Sequence, residues 1–212
     1  DNDGYSDVFI TNGMSQNIRQ LEGSTNDPAS QKLLYEKNLA LRNDGNLKFS
    51  QQGKAWGLDH FGFSLAAVKS DLDGDGDLDI FVIHRDEPPS LYENRSSNPG
   101  IIVKLRGRAS NRFGIGAKVQ LETASGKMVR QLFPARGYLS SDEAVAHFGL
   151  GTHTGAKLLK VKWPSGRTQE FADLDAGHSY LITEPDNSQP QPSSSAEPNP
   201  LFAVNNHLPE IR

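Results

Sequence analysis

Five aspartates alternate through residues 71–79, DLDGDGDLD, and this run constrains the fold more than any other feature of the chain. Side-chain oxygens fall at Asp71, Asp73, Asp75 and Asp79, and Asp77 can add its backbone carbonyl. Gly74 and Gly76 permit the sharp or left-handed backbone that gathers such groups on one point. Carboxylates this dense repel one another unless a cation neutralises them. Calcium takes roughly six to eight hard oxygens and accepts irregular geometry, whereas magnesium prefers water and a strict octahedron. The run is not an EF-hand. Val82 stands where that motif needs a bidentate Glu, and Asp79 leads into Ile80, Phe81, Val82 and Ile83, an apolar strand-type run rather than a helix. The plainer reading is a solvated Asp/Gly turn, and strict alternation argues against it.

The pattern recurs. DNDGYSDVFITN at 1–12 aligns with DGDGDLDIFVIH at 73–84, so Asp1, Asp3 and Asp7 match Asp73, Asp75 and Asp79, and Tyr5 takes the backbone position of Asp77. The partner of Asp71 falls before Asp1, which leaves this second site one ligand short in this chain. LALRN at 39–43 aligns loosely with PSLYEN at 89–94, and the first copy carries an insertion near 14–36. Within it, NDPASQKLLYEK predicts a short helix near 27–37, capped by Asn26 or Asp27 with Pro28 in the first turn. A repeat of roughly 50 residues, rich in short strands, suggests propeller blades.

The texture changes after residue 98. Alternating segments at 101–107, 116–123, 128–135, 144–151, 157–163, 167–173 and 179–184 read as strands. Ser125-Gly126 and Pro164-Ser165-Gly166 suit tight hairpins between them. The spacing fits a small β-sandwich. Residues 185–200, PDNSQPQPSSSAEPNP, cannot bury a core. The chain therefore divides into a repeat region at 1–98, a strand-rich domain at 99–185, and a Pro/Ser-rich linker and tail at 186–212. The chain has no cysteine, which excludes a disulfide framework and a cysteine zinc site. It has no basic block to serve nucleic acid and no apolar run long enough to enter a bilayer.

Enzymatic signals are absent at the level of motifs. The six histidines form no HExxH-type pair, and Ser140, Ser141 and Asp142 lie outside any nucleophile elbow. His147 reads as a packing residue. Trp163 precedes a turn, where it either stacks on a sugar or, more commonly, closes a strand end. Catalytic residues are expected to be none.

Several segments resemble known families. SDLDGDGDLDIFVIH, DNDGYSDVFITNG, LALRNDGNLKF and SLYENRSS resemble the VCBS/FG-GAP calcium-binding repeats that form blades of integrin-α-like β-propellers. SNRFGIGAKVQL, RGYLSSDEAVAHFGLG and VKWPSGRTQEF resemble the ASPIC/UnbV domain that follows such repeats in the cartilage acidic protein family and its bacterial relatives. The cysteine-rich module of the vertebrate members is missing, which points to the bacterial type. The resemblance implies an all-β chain, with about one and a half partial β-propeller blades followed by a small β-sandwich-like domain. It implies structural Ca2+ and a non-catalytic role in adhesion or protein interaction. It also implies an extracellular, cell-surface or periplasmic location. The expected partners are a protein or glycan at the cell surface and upstream propeller repeats of the same parent chain. The competing expectation is a carbohydrate-binding accessory module of a secreted polysaccharide-active protein.

Overall fold

Short β-branched and aromatic runs cut by Asp, Asn and Gly give short strands, and that is what forms. A computed structural model describes residues 1–12, 36–85 and 87–186. The first half carries β1 (Val8–Ile10), β2 (Glu36–Lys37), β3 (Leu39–Asn43), β4 (Phe49–Gln51), β5 (Phe61–Gly62), β6 (Ser64–Ser70), β7 (Asp79–His84) and β8 (Ser90–Tyr92). The second carries β9 (Gly100–Arg106), β10 (Lys118–Thr123), β11 (Gly126–Gln131), β12 (Ala135–Gly137), β13 (Ser140–Ser141), β14 (Val145–Gly149), β15 (Gly155–Lys162), β16 (Thr168–Asp175) and β17 (His178–Thr183). The helix expected near 27–37 falls outside the described residues as far as residue 35, and Glu36–Lys37 is a strand.

The chain is all-β, but the propeller expectation is corrected. The first half pairs into the three-stranded sheets β1-β3-β4 and β6-β7-β8 and the two-stranded sheet β2-β5, and among the described residues no sheet closes into a propeller or barrel. The reason lies at the edges. Among the described residues, β1 pairs only with β3 and β6 only with β7. Part of the β6 edge meets the second half instead: Glu143 N donates to Lys69 O at 3.4 Å, and Lys69 N donates to Asp142 Oδ1 at 3.1 Å. An edge strand covered in this way is protected without a neighbouring blade.

The second half stacks alternating strands. β11-β10-β15-β16 form an antiparallel sheet, and β14-β9-β17 form another in which β9 and β17 run parallel. Every other residue of β10 is buried: Val119, Leu121 and Thr123. Val119 and Leu121 pack with Ile101, Val103, Phe148, Leu159, Val161 and Trp163, so both sheets share one core. Trp163 is buried and donates Nε1–H to Gln169 Oε1 at 2.6 Å, which settles it as a core residue rather than a sugar platform. The two expected hairpins form, with Gly126 and Gly166 at φ of 143° and 89° supplying the turn conformations that other residues resist.

One buried carboxylate staples the loops at the end of this domain. Glu184 is 1% exposed and accepts the Arg108 and Ser110 amides at 2.8 and 2.7 Å, and the Ser110 and Ser165 hydroxyls at 2.9 and 2.5 Å. Burial alone pushes its pKa up, but these donors together outweigh it and hold the carboxyl at about 2. No helix among the described residues is long and apolar enough to cross a membrane.

Candidate metal centre

The 71–79 loop leaves β6 and enters β7, so the strand pair Ser70↔Asp79 anchors both of its ends. Gly74 and Gly76 adopt φ of 83° and 96°, the left-handed turns read from their positions. Successive carboxylates fold back on the chain: Gly74 N donates to Asp71 Oδ1 at 2.8 Å, Asp75 N to Asp73 Oδ1 at 3.2 Å, and Asp77 N to Asp75 Oδ1 at 3.0 Å. Each of these bonds leaves the second carboxylate oxygen free. Asp71, Asp73 and Asp75 can then present ligand oxygens within 4.8 Å of one another, and no other trio of His, Asp or Glu does so among the described residues.

Asp79 lies underneath, 3% exposed. Its two oxygens accept Leu72 N at 3.0 Å and Asn94 N at 2.9 Å. Asp77 differs from all of these. Its side chain is buried, and neither oxygen has a hydrogen-bond partner among the described residues. Burial, then the charge of Asp75 and close approach of its carboxyl, then the charge of Asp79, push the carboxyl up to about 7, against a smaller downward pull from the Ser96 backbone amide. A buried carboxylate with nothing to pair with costs several kcal/mol in order-of-magnitude terms. Sequence reading gave Asp77 only a backbone role and missed this side chain.

The 1–7 loop repeats four bonds of this scheme. Asp3 N donates to Asp1 Oδ1 at 3.3 Å, and Tyr5 N to Asp3 Oδ1 at 2.9 Å. Asn43 N reaches Asp7 Oδ1 at 2.9 Å, as Asn94 N reaches Asp79. Asn43 Nδ2 donates to Ser6 O and Asn94 Nδ2 to Leu78 O, at 3.2 and 3.4 Å. Asn94 also begins Asn94-Arg95-Ser96, which has the form of an N-glycosylation sequon, and its side-chain amide here donates to the loop. The loops part at the residue before each asparagine. Arg42 puts Nε 2.7 Å from Asp1 Oδ2 and an NH2 nitrogen 3.2 Å from Asp3 Oδ2, so a guanidinium spans the two carboxylates. The matching residue on the other side is Glu93. Nothing in the sequence reading pointed to Arg42.

Both loops press on the same face of β9 and β14, the one turned away from the core. Gly76 O lies 3.2 Å from His147 Nε2, which fixes Nε2–H as the donor. Burial pushes the His147 pKa down to about 4, so the ring is neutral here near pH 7. Asn2 O accepts Gly151 N at 2.8 Å. Glycine is required at this face: a Cβ on Gly149 would stand 2.5 Å from Asn2 Cα, and one on Gly100 would stand 2.9 Å from His147 Nε2 and 3.0 Å from Gly76 O. The expectation that His147 is a packing residue rather than a catalytic one fits this setting.

The donor set therefore suits a hard divalent cation. Hard oxygens converge, sulfur is absent, and one buried carboxylate waits for a positive partner.

The family described as ASPIC and UnbV matches residues 107–189. Cartilage acidic protein 1 of Mus musculus is 38% identical over 116 residues, covering 52% of this chain and 18% of the relative. The Homo sapiens protein is 36% identical over 115 residues, covering 52% and 17%. The Xenopus tropicalis protein is 37% identical over 103 residues, covering 46% and 16%. The matches thus span less than a fifth of these relatives' length. This relationship is consistent with a non-enzymatic role. The chain thus carries a region similar to the ASPIC and UnbV family at residues 107–189, and it is similar to a part of cartilage acidic protein 1.

Proposed function

We propose that the chain is a calcium-binding extracellular module for adhesion or protein interaction, with a structural ion in the 71–79 loop. The observation that carries this reading is the Asp77 carboxylate, buried without a partner beside three converging aspartates. Asp71, Asp73 and Asp75 would hold the ion through their free carboxylate oxygens. Asp79 would back the loop from below, and Asp77 would contribute its carbonyl as well as the charge of its side chain. A bound ion supplies charge neutralisation and a fixed loop shape. The chain's own residues do the rest. The turn bonds at Gly74, Asp75 and Asp77 hold the carboxylates inward, and the Gly76–His147 bond passes the loop's position to the domain behind it.

The adhesion role and the extracellular setting rest on kinship with cartilage acidic protein, and the partner would be a protein or glycan at the cell surface. Of the aromatics that could serve the carbohydrate-module alternative, Trp163 lies in the core and Tyr180 packs against it, which leaves Tyr138 exposed. Calorimetric titration of the chain with CaCl2 tests the metal reading. Saturable binding, with a melting temperature that rises on loading and falls with chelator, is expected. Absence of heat together with unchanged melting rules the reading out.

A further inference from the structure

The chain carries a formal net charge of -4, yet one surface cavity of about 540 Å³ is walled by Lys118, Arg130 and Arg136. None of these three forms an ion pair among the described residues. Arg130 gives one NH1 bond to Val129 O at 3.2 Å and lies over the Phe148 ring, its carbon 5.4 Å from the ring centre. Arg136 spends Nε on Phe133 O at 3.0 Å and one NH2 bond on Gln131 O at 3.2 Å. Those bonds fix the two guanidinium groups in place and leave further N–H donors on each. Burial and then the like charge of Arg136 push the Arg130 pKa down, so the pair repels itself.

Two guanidinium groups held by backbone carbonyls suit an oxyanion, because each offers paired N–H donors that match two oxygens of a carboxylate or a sulfate. The rest of the lining includes Val129 and Phe133, which are 41% and 55% exposed. That apolar side fits carbon atoms behind the charged group. We infer that this cavity is an oxyanion-binding site, taking a carboxylate or sulfate group through Arg130, Arg136 and Lys118, with Phe133 contacting the ligand's carbon skeleton. Its lining includes no residue of the 71–79 loop, and it needs no metal.

The same anionic chemistry comes from free inorganic ions or from organic acids, and one experiment separates them. Chemical shifts of the intact chain are followed at low ionic strength during titration with inorganic sulfate, with glucuronate, and with glucose as the neutral control. Saturable shifts at residues 129–136 with either anion, and none with glucose, support the site. Tighter binding of glucuronate than of sulfate identifies the organic source and gives Phe133 its role; the reverse order identifies free inorganic oxyanions. Arg136→Gln, at an exposed position, is expected to weaken binding about tenfold, and Lys118→Gln by less. Arg130→Lys keeps the charge but loses the fork, and is expected to weaken binding between those limits. Failure of both anions to saturate, or equal affinity in wild type and Arg136→Gln, overturns the proposal.

Discussion

The 1–7 and 71–79 loops share a backbone and differ in the cation that answers them. The asparagine clamp, the inward turn bonds and the docking face are common to both. In one, Arg42 lies across Asp1 and Asp3. In the other, Glu93 stands at the matching position, the carboxylates converge, and Asp77 is left buried and unpaired. On the proposed reading, the 1–7 loop holds its shape with a built-in guanidinium and the 71–79 loop takes an ion from solution, and the residue before the clamping asparagine, Arg42 or Glu93, marks the difference. Arginine suits the first solution because its charge does not depend on pH and its fork bridges two carboxylates.

The comparison can be broken first at the docking face. Gly149→Ala drives a methyl into the Asn2 backbone and should cost about 2–3 kcal/mol in urea unfolding. Gly100→Ala meets a movable His147 ring as well as Gly76 O and should cost about 1–2 kcal/mol. The reverse order would mean that the 71–79 loop is the more rigidly seated of the two.

A second difference lies in pH. With chelator present, the raised Asp77 pKa favours the protonated native state. Its contribution to stability is full below about pH 4 and is lost as pH rises through about 7. Calcium-free protein should therefore weaken between pH 5 and pH 8, and Asp77→Asn should flatten that decline and recover about 1–2 kcal/mol at pH 8. A pH-independent melting temperature in chelator would show that Asp77 is not strained in this way.

The smallest effect is expected at Arg42. Arg42→Gln removes a half-exposed bridge between Asp1 and Asp3 and should cost about 0.5–1 kcal/mol, more at low salt than at high. Its calcium response should match wild type. A gain in the number of bound ions would instead show that the arginine displaces a metal.

Much of this was legible in the residues, and the limit falls at definite places. Alternating aspartates with two glycines announce a converging loop because period and backbone freedom are local properties. The strands and hairpins of residues 101–184 follow from period-two alternation in the same way, as in β10. The hairpin β12–β13 did not, because its exposed ARGYLSS segment has no buried face to set a period. Arg42 was invisible because it reaches Asp1 and Asp3 only through the register that pairs Val8 with Leu41. The side chain of Asp77 was missed for a similar reason: alternation cannot say which carboxylate of the run ends up beneath the others. The propeller was misjudged because local repeat similarity describes each small sheet and is silent about what its edges meet. Here the β6 edge meets Asp142 and Glu143 of the second half.

The most direct test is calcium-dependent melting of three chains side by side: wild type, Asp73→Asn and Asp3→Asn. With calcium at a hundred times its dissociation constant, wild type should gain about 2.7 kcal/mol, a rise of several degrees. Asp73→Asn should lose most of that gain and Asp3→Asn should keep it. No calcium effect on wild type, or equal loss in both variants, would contradict the division between an ion-dependent loop and an arginine-held one.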